Sequence, residues 1–211
     1  IENPEESIGD RYSADSMGWY GNGVYAPSIR YHDGTFYVYS PVYNNGGIYV
    51  STATDPAGPW TTTCLKDKNG KDIKIERLTD LCPLWDDENN CAYLLLSNLG
   101  SPGQGIDYVT DEGCQTGNAA QLFKMSLDGT TLLDADATDA ATFARSGVLI
   151  RNIAGTEGNK LYIKDGYYYI FNCDFQGRSA NGQGPYVRRA RNIYGDNPDG
   201  TAFDYVAAEA E

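Results

Sequence analysis

The chain has 211 residues, with 16 Lys and Arg against 29 Asp and Glu and a formal net charge of -13. That length holds one domain, or two small ones, with a buried core. The charge excludes a nucleic-acid or anionic-membrane surface, since both need a basic excess, and no apolar run is long enough for a spanning helix.

The first 20 residues, opening IENPEESIGD, are polar and acidic and are expected to be irregular. They are expected to hold no signal peptide; a removed leader would fit a secreted or periplasmic protein, with a cytoplasmic one left open. GNGVYAPSIRYHDG (21–34) then opens the first strand, and YHDGTFYVYS (31–40) turns it back through Asp-Gly. GGIYVSTA (46–53) follows as a further strand and ends in the turn ATDPAGPW. TDLCPLWDDENN (79–90) and CAYLLLS repeat the hairpin with a longer acidic turn, which is expected to be solvated. Residues 98–118 are a Gly-rich stretch expected to shape a rim, and AAQLFKMSLDG (119–129) is the next strand. The Ala-rich 134–147 is expected to be a loop with at most one or two helical turns. TEGNKLYIKDGYYYIF (156–171) is a third hairpin, and GPYVRRARN (184–192) is its following strand. Residues 196–211 are expected to be a tail.

The same unit thus recurs three times. Its marker tyrosines, Tyr37, Tyr93 and Tyr169, stand 56 and then 76 residues apart, so the chain holds roughly three units. Repeated antiparallel four-stranded units predict an all-β, β-propeller type of fold in a single partial domain. A β-sandwich built from the same hairpins is the alternative. Five cysteines without a C-x-x-C, and a single His, argue against a zinc site. The cysteines are either buried and reduced or joined in one or two disulfides; the odd count leaves at least one thiol free in a monomer.

Two carboxylates draw attention. Asp80 lies just before the apolar run LCPLW, and Glu157 precedes Gly158 and the next such run. The two are expected to hold equivalent places in successive blades. Inner strands of a propeller enter near its central channel, so both could converge there and flank a glycosidic bond. A turn or capping role for Asp80, and a surface position for Glu157, remain open. Gly158 would let backbone approach a ligand. Tyr25 could offer its face to a sugar ring or simply pack.

GVYAPSIRYHDGTFYVY, DLCPLWDDENNCAYLL and TEGNKLYIKDGYYYIF, in this order and spacing, resemble the inner-hairpin motifs of glycoside hydrolase family 43, from about residue 20 to 195. The resemblance implies a five-bladed propeller, of which this chain would hold three to four blades. It implies inverting hydrolysis of xylan- or arabinoxylan-derived glycosides by a β-xylosidase or α-L-arabinofuranosidase. Glu157 falls on the general acid, and Asp80 on the residue that orients this acid and tunes its pKa. Tyr25 stands where the family favours Trp at the sugar. Trp85, whose expected role is mainly packing, and Arg178, in the insertion FQGRSANGQG, are further candidates for the substrate site. No cofactor is required, and a structural calcium belongs to the complete propeller. The expected partner is a xylo- or arabino-oligosaccharide, and open blade edges invite self-association.

Three departures stand out. D-L-C-P lacks one Pro, the acidic turn reads DDENN, and Asn159 stands where Pro often follows the E-G pair. The family's base lies in an Asp-Pro motif before the A-P-S-I motif, yet the 25 residues preceding Ala26 hold no Asp-Pro. The base is therefore expected outside this chain, and the chain alone is expected to be inactive or nearly so. A non-catalytic carbohydrate-binding propeller, or a self-assembling fragment, is the alternative.

Overall fold

A computed structural model describes residues 24–42, 46–100, 106–110, 113–117, 119–151, 156–174, 185–194, 203–204 and 206–207. The first sheet is the four-stranded antiparallel meander β1 (Ser28–His32), β2 (Thr35–Val42), β3 (Gly47–Ala53) and β4 (Thr61–Cys64). The second runs in the order β14-β10-β9-β6-β5, from β5 (Leu78–Asp86), β6 (Cys91–Asn98), β9 (Ala119–Met125), β10 (Val148–Arg151) and β14 (Phe203–Asp204). The third joins β11 (Thr156–Lys164), β12 (Tyr167–Asp174), β13 (Pro185–Ala190) and β15 (Val206–Ala207). A separate hairpin, β7 (Ile106–Thr110) with β8 (Gly113–Gly117), falls in the Gly-rich stretch. β14 and β15, within the stretch expected as a tail, lie on the outer edges of the second and third sheets.

The turn chemistry sets the hairpins. His32 pairs with Thr35 and Lys164 with Tyr167, so each turn is a two-residue Asp-Gly link. Both residues of each turn have positive φ (Asp33 42°, Gly34 78°; Asp165 51°, Gly166 72°), the conformation whose twist matches paired strands. The acidic turn after β5 is longer, with Asn90 in the left-handed region before β6.

Two cores separate the three sheets. Tyr37, Tyr39, Ile48 and Val50 of the first sheet pack on Trp85, Leu94, Leu96 and Phe123 of the second. Leu84, Tyr93, Leu95 and Leu122 on the opposite face pack on Leu161, Tyr168 and Ile170 of the third. The middle sheet is thus covered on both sides, which is why LCPLW and YLLLS read as unbroken apolar runs. One short helix, α1 (Ala140–Ala144), sits in the Ala-rich stretch, capped by Asp139 and anchored by buried Phe143. The two end sheets turn apolar side chains outward, Ile29 and Tyr31 on one and Tyr162 and Phe171 on the other.

The inner strands β1, β5 and β11 run side by side in one direction. At one end Ser28 Oγ donates to the Leu81 carbonyl. Midway, Arg30 lies 3.1 Å from Cys82 Sγ and 4.9 Å from the Tyr162 ring centroid, while the Leu161 N–H donates to Cys82 Sγ at 3.0 Å. At the other end His32 meets Asp87 at 2.8 Å, and Tyr168 donates to Asp86. The strand starts therefore share one end of the molecule and the hairpin turns the other.

Candidate functional site

Each inner strand carries the same irregularity at its start. In β5, Asp80 and Leu81 together oppose Leu96, between the pairs Thr79–Ser97 and Cys82–Leu95. In β11, Gly158 and Asn159 oppose Asn172, between Glu157–Cys173 and Lys160–Phe171. In the first sheet, Ala26 and Pro27 oppose Ser40, between the Tyr25–Pro41 hydrogen bond and the Ser28–Tyr39 pair. These are β-bulges whose first residue is left-handed: φ is 42° at Ala26, 54° at Asp80 and 71° at Gly158. Such a conformation strains a non-glycine residue, and Asp tolerates it better than most.

The bulges correct one expectation. Asp80 is equivalent to Gly158, and Glu157 is equivalent to Thr79 and Tyr25. The repeat alone suggested that Asp80 and Glu157 were counterparts. The extra residue in each strand breaks the alternation of faces, so the offset is invisible until the pairing is known.

The bulge turns Asp80 toward the third sheet. The residue is 5 % exposed, and its Oδ2 accepts the backbone N–H of Gly158 at 2.9 Å and the Ser97 hydroxyl at 3.0 Å. Ser97 Oγ in turn accepts Asn159 Nδ2 at 2.7 Å. Asp80 is therefore neither a free turn acid nor a helix cap. It ties the second blade to the residue that follows Glu157. The Glu157 side chain itself lies outside the described residues, as does all of Arg178.

Tyr25 is exposed and stands at the same end, in the place in its own sheet that Glu157 holds in β11. Trp85 is not brought to this end. Five residues beyond Asp80 along β5, it stands about 15 Å away. It is buried there, stacked on His32 at 4.8 Å between ring centroids, and donates its indole N–H to the Leu127 carbonyl at 2.9 Å. The acidic turn also differs from expectation at one residue. Asp86 is buried, held by Tyr168 and by the Asn89 side-chain and backbone N–H groups. Burial pushes its carboxyl pKa up, but these donors outweigh that and leave it below the ordinary value.

No disulfide joins Cys64, Cys82, Cys91 or Cys173, and Cys114 lies outside the described side chains. Among the described residues no group of three or more His, Cys, Asp or Glu gathers to hold a metal ion, and His32 is engaged by Asp87 and Trp85.

Ser97 was not singled out in the sequence, and Asn159 only as the residue standing where Pro often follows the E-G pair. The available signals were a lone hydroxyl closing the apolar run YLLLS and an Asn where the family often has Pro.

The model of glycosyl hydrolases family 43 matches residues 4–201. The chain belongs to this family. A putative β-xylosidase of Xylanibacter ruminicola is 35% identical over 176 residues, covering 83% of this chain and 27% of that protein. A β-xylosidase of Formosa agariphila is 31% identical over 160 residues, covering 76% and 23%. The chain thus spans about a quarter of the length of these family 43 relatives. Among solved structures, a family 43 protein of the Bacteroides ovatus xyloglucan locus superposes with a TM-score of 0.55 at 23% identity, over 90% of this chain and 29% of that one. At that identity the likeness establishes the fold, which is of the five-bladed β-propeller type. Three blades are seen among the described residues.

Proposed function

We propose that this chain carries the acid half of an inverting glycoside hydrolase that acts on xylan- or arabinoxylan-derived glycosides, as a β-xylosidase or α-L-arabinofuranosidase. The observation that supports this most is the hydrogen bond from Gly158 N–H to Asp80 Oδ2. It sets a buried carboxylate beside the backbone of Glu157, as an acid and its orienting partner require. The relatives named β-xylosidase, and one named xylosidase/arabinosidase from Butyrivibrio fibrisolvens at 29% identity, support the substrate class.

In this reading Glu157 protonates the leaving oxygen. A carboxylate beside it favours its protonated form near neutral pH. Tyr25 borders the sugar, and Arg178 is a further candidate for contact with it. Water must be activated on the opposite face of the ring by a second carboxylate roughly 6.5–9.5 Å from the acid. Asp80 cannot serve as that base, because it is bonded to the acid's own strand. No Asp-Pro precedes the A-P-S-I motif in this chain, so these 211 residues alone should not turn over substrate.

The test is hydrolysis of xylobiose and of aryl β-xylosides and α-L-arabinofuranosides by the isolated chain and by Glu157→Gln. The expected result is no turnover by either, with xylobiose bound by the wild type. Turnover that survives Glu157→Gln would sink the assignment of the acid.

A further inference from the structure

We propose that Ser97 and Asn159 are positioning residues of this site. Asn159 fixes the Ser97 hydroxyl, Ser97 fixes Asp80 Oδ2, and Asp80 fixes the backbone at Gly158. This deepens the hydrolase reading and rests on it for its catalytic meaning, since Gly158 follows the acid Glu157.

The proton directions are determined by the chemistry of the groups. Asn159 Nδ2 only donates, so at 2.7 Å Ser97 Oγ must accept from it. The serine proton is then free to point at Asp80 Oδ2, 3.0 Å away, which only accepts when ionised. The reverse amide orientation would make Ser97 donate to Asn159. Two oxygens would then face each other at 3.0 Å without a proton between them. The relay therefore runs one way, from blade three into β6 of blade two and back through Asp80 to blade three.

Burial argues that the link is purposeful. Asn159 and Ser97 are both fully buried, and Asn159 Oδ1 has no hydrogen-bond partner among the described residues. An unpaired buried acceptor is costly, and an apolar residue of similar size would avoid it. What Asn159 supplies in exchange is the Nδ2 donor aimed at Ser97. It occupies the second position of the bulge, where the family often places Pro. Pro stiffens that position through its ring; here a side-chain link across the blade boundary holds the same segment.

The oxygen used is also informative. Both donors converge on Oδ2, and among the described residues Oδ1 of Asp80 carries no hydrogen bond. The carboxylate is thus held through one oxygen from two sides.

The test reads the Gly158 amide proton of the 211-residue chain by NMR, in the wild type and in Ser97→Ala, Ser97→Thr and Asn159→Asp. Asn159→Asp keeps the volume but removes the donor and competes for the serine proton. The expected result is that Ser97→Ala and Asn159→Asp move the Gly158 signal upfield and speed its exchange at least about tenfold. Leu161 and Ile170 amides should stay protected as in the wild type, and Ser97→Thr should restore the wild-type Gly158 signal. Should Ser97→Ala fail to fold, Asn159→Asp carries the comparison. An unchanged Gly158 signal in Asn159→Asp, or a Ser97→Thr that behaves like Ser97→Ala, overturns the relay. The readout needs no turnover, so failure of the hydrolase reading would be seen separately, as an absence of sugar binding with the relay intact.

Discussion

Asp80 Oδ2 accepts the backbone N–H of Gly158 at 2.9 Å, across the boundary between two blades. The two residues hold the same place in their own strands: each is the left-handed first residue of a β-bulge. One copy of the repeat supplies the carboxylate and the next supplies the amide. A repeated backbone defect has become a joint between neighbouring blades.

Replacing Asp80 by Ala should remove the acceptor for the buried Ser97 hydroxyl and the half-buried Gly158 N–H and leave a left-handed backbone with no polar side chain to favour it. The expected loss is about 2–3 kcal/mol of unfolding free energy, from the unpaired groups and the strain. Urea denaturation of Asp80→Ala against wild type checks this. A loss below about 0.5 kcal/mol, the range of an ordinary surface change, would contradict it.

Tyr168→Phe should cost about 1.5–3 kcal/mol at neutral pH, because the lost O–H donates to a charged, buried partner, Asp86. The pH dependence has a definite sign. The Asp86 pKa is lowered in the folded protein, as is that of Asp67, where burial is outweighed by the N–H groups of Ala137, Lys71 and Asn69. Each thus stabilises the fold above its ordinary value of 3.8, and that stabilisation is lost as pH falls through the folded value. The Tyr168→Phe penalty should therefore be full at pH 6 and shrink below about pH 4. Thermal melts of both proteins over that range give the comparison; a penalty that grows on acidification would refute the assignment.

The isolated chain should self-associate. Ile29 and Tyr31 on the first sheet are 53% and 63% exposed, and Tyr162 and Phe171 on the third are 43% and 40% exposed. Apolar sheet faces of this kind seek cover. Sedimentation velocity should show mass rising with concentration, and Tyr31→Ser with Phe171→Ser should reduce it. A monomer at all concentrations would show that these faces are tolerated in water.

Much of this fold was legible in the sequence because turns carry strong local chemistry. Asp33-Gly34 and Asp165-Gly166 announce their hairpins, and Tyr-rich strands follow them. The Ala-rich stretch was correctly read as holding little helix, since α1 is a single capped turn. The bulges were not legible. Nothing in T-D-L-C or T-E-G-N states that two residues face one across the ladder, and so Asp80 was matched to Glu157 rather than to Gly158. Asp86 was expected in water because acidic turns usually are solvated; Tyr168, 82 residues away, is what buries it. Trp85 lies on the same strand as Asp80, but strand length separates the two. Ser97 and Asn159 matter only through contacts between blades, which no local pattern encodes.

The central claim is that this chain holds the acid and its orienting partner but not the base. Azide tests it most directly, because a small anion needs no deprotonation to attack the anomeric carbon. With phenyl β-xyloside, the isolated chain should give no hydrolysis in buffer. On adding azide it should form α-xylosyl azide, the azide bonding to the anomeric carbon as the phenolate leaves and takes the Glu157 proton. Glu157→Gln should abolish this product and Asp80→Ala should reduce it at least about tenfold, the effect of losing roughly 1.4 kcal/mol of transition-state stabilisation. Hydrolysis in buffer without azide, unchanged in Glu157→Gln, would contradict the account.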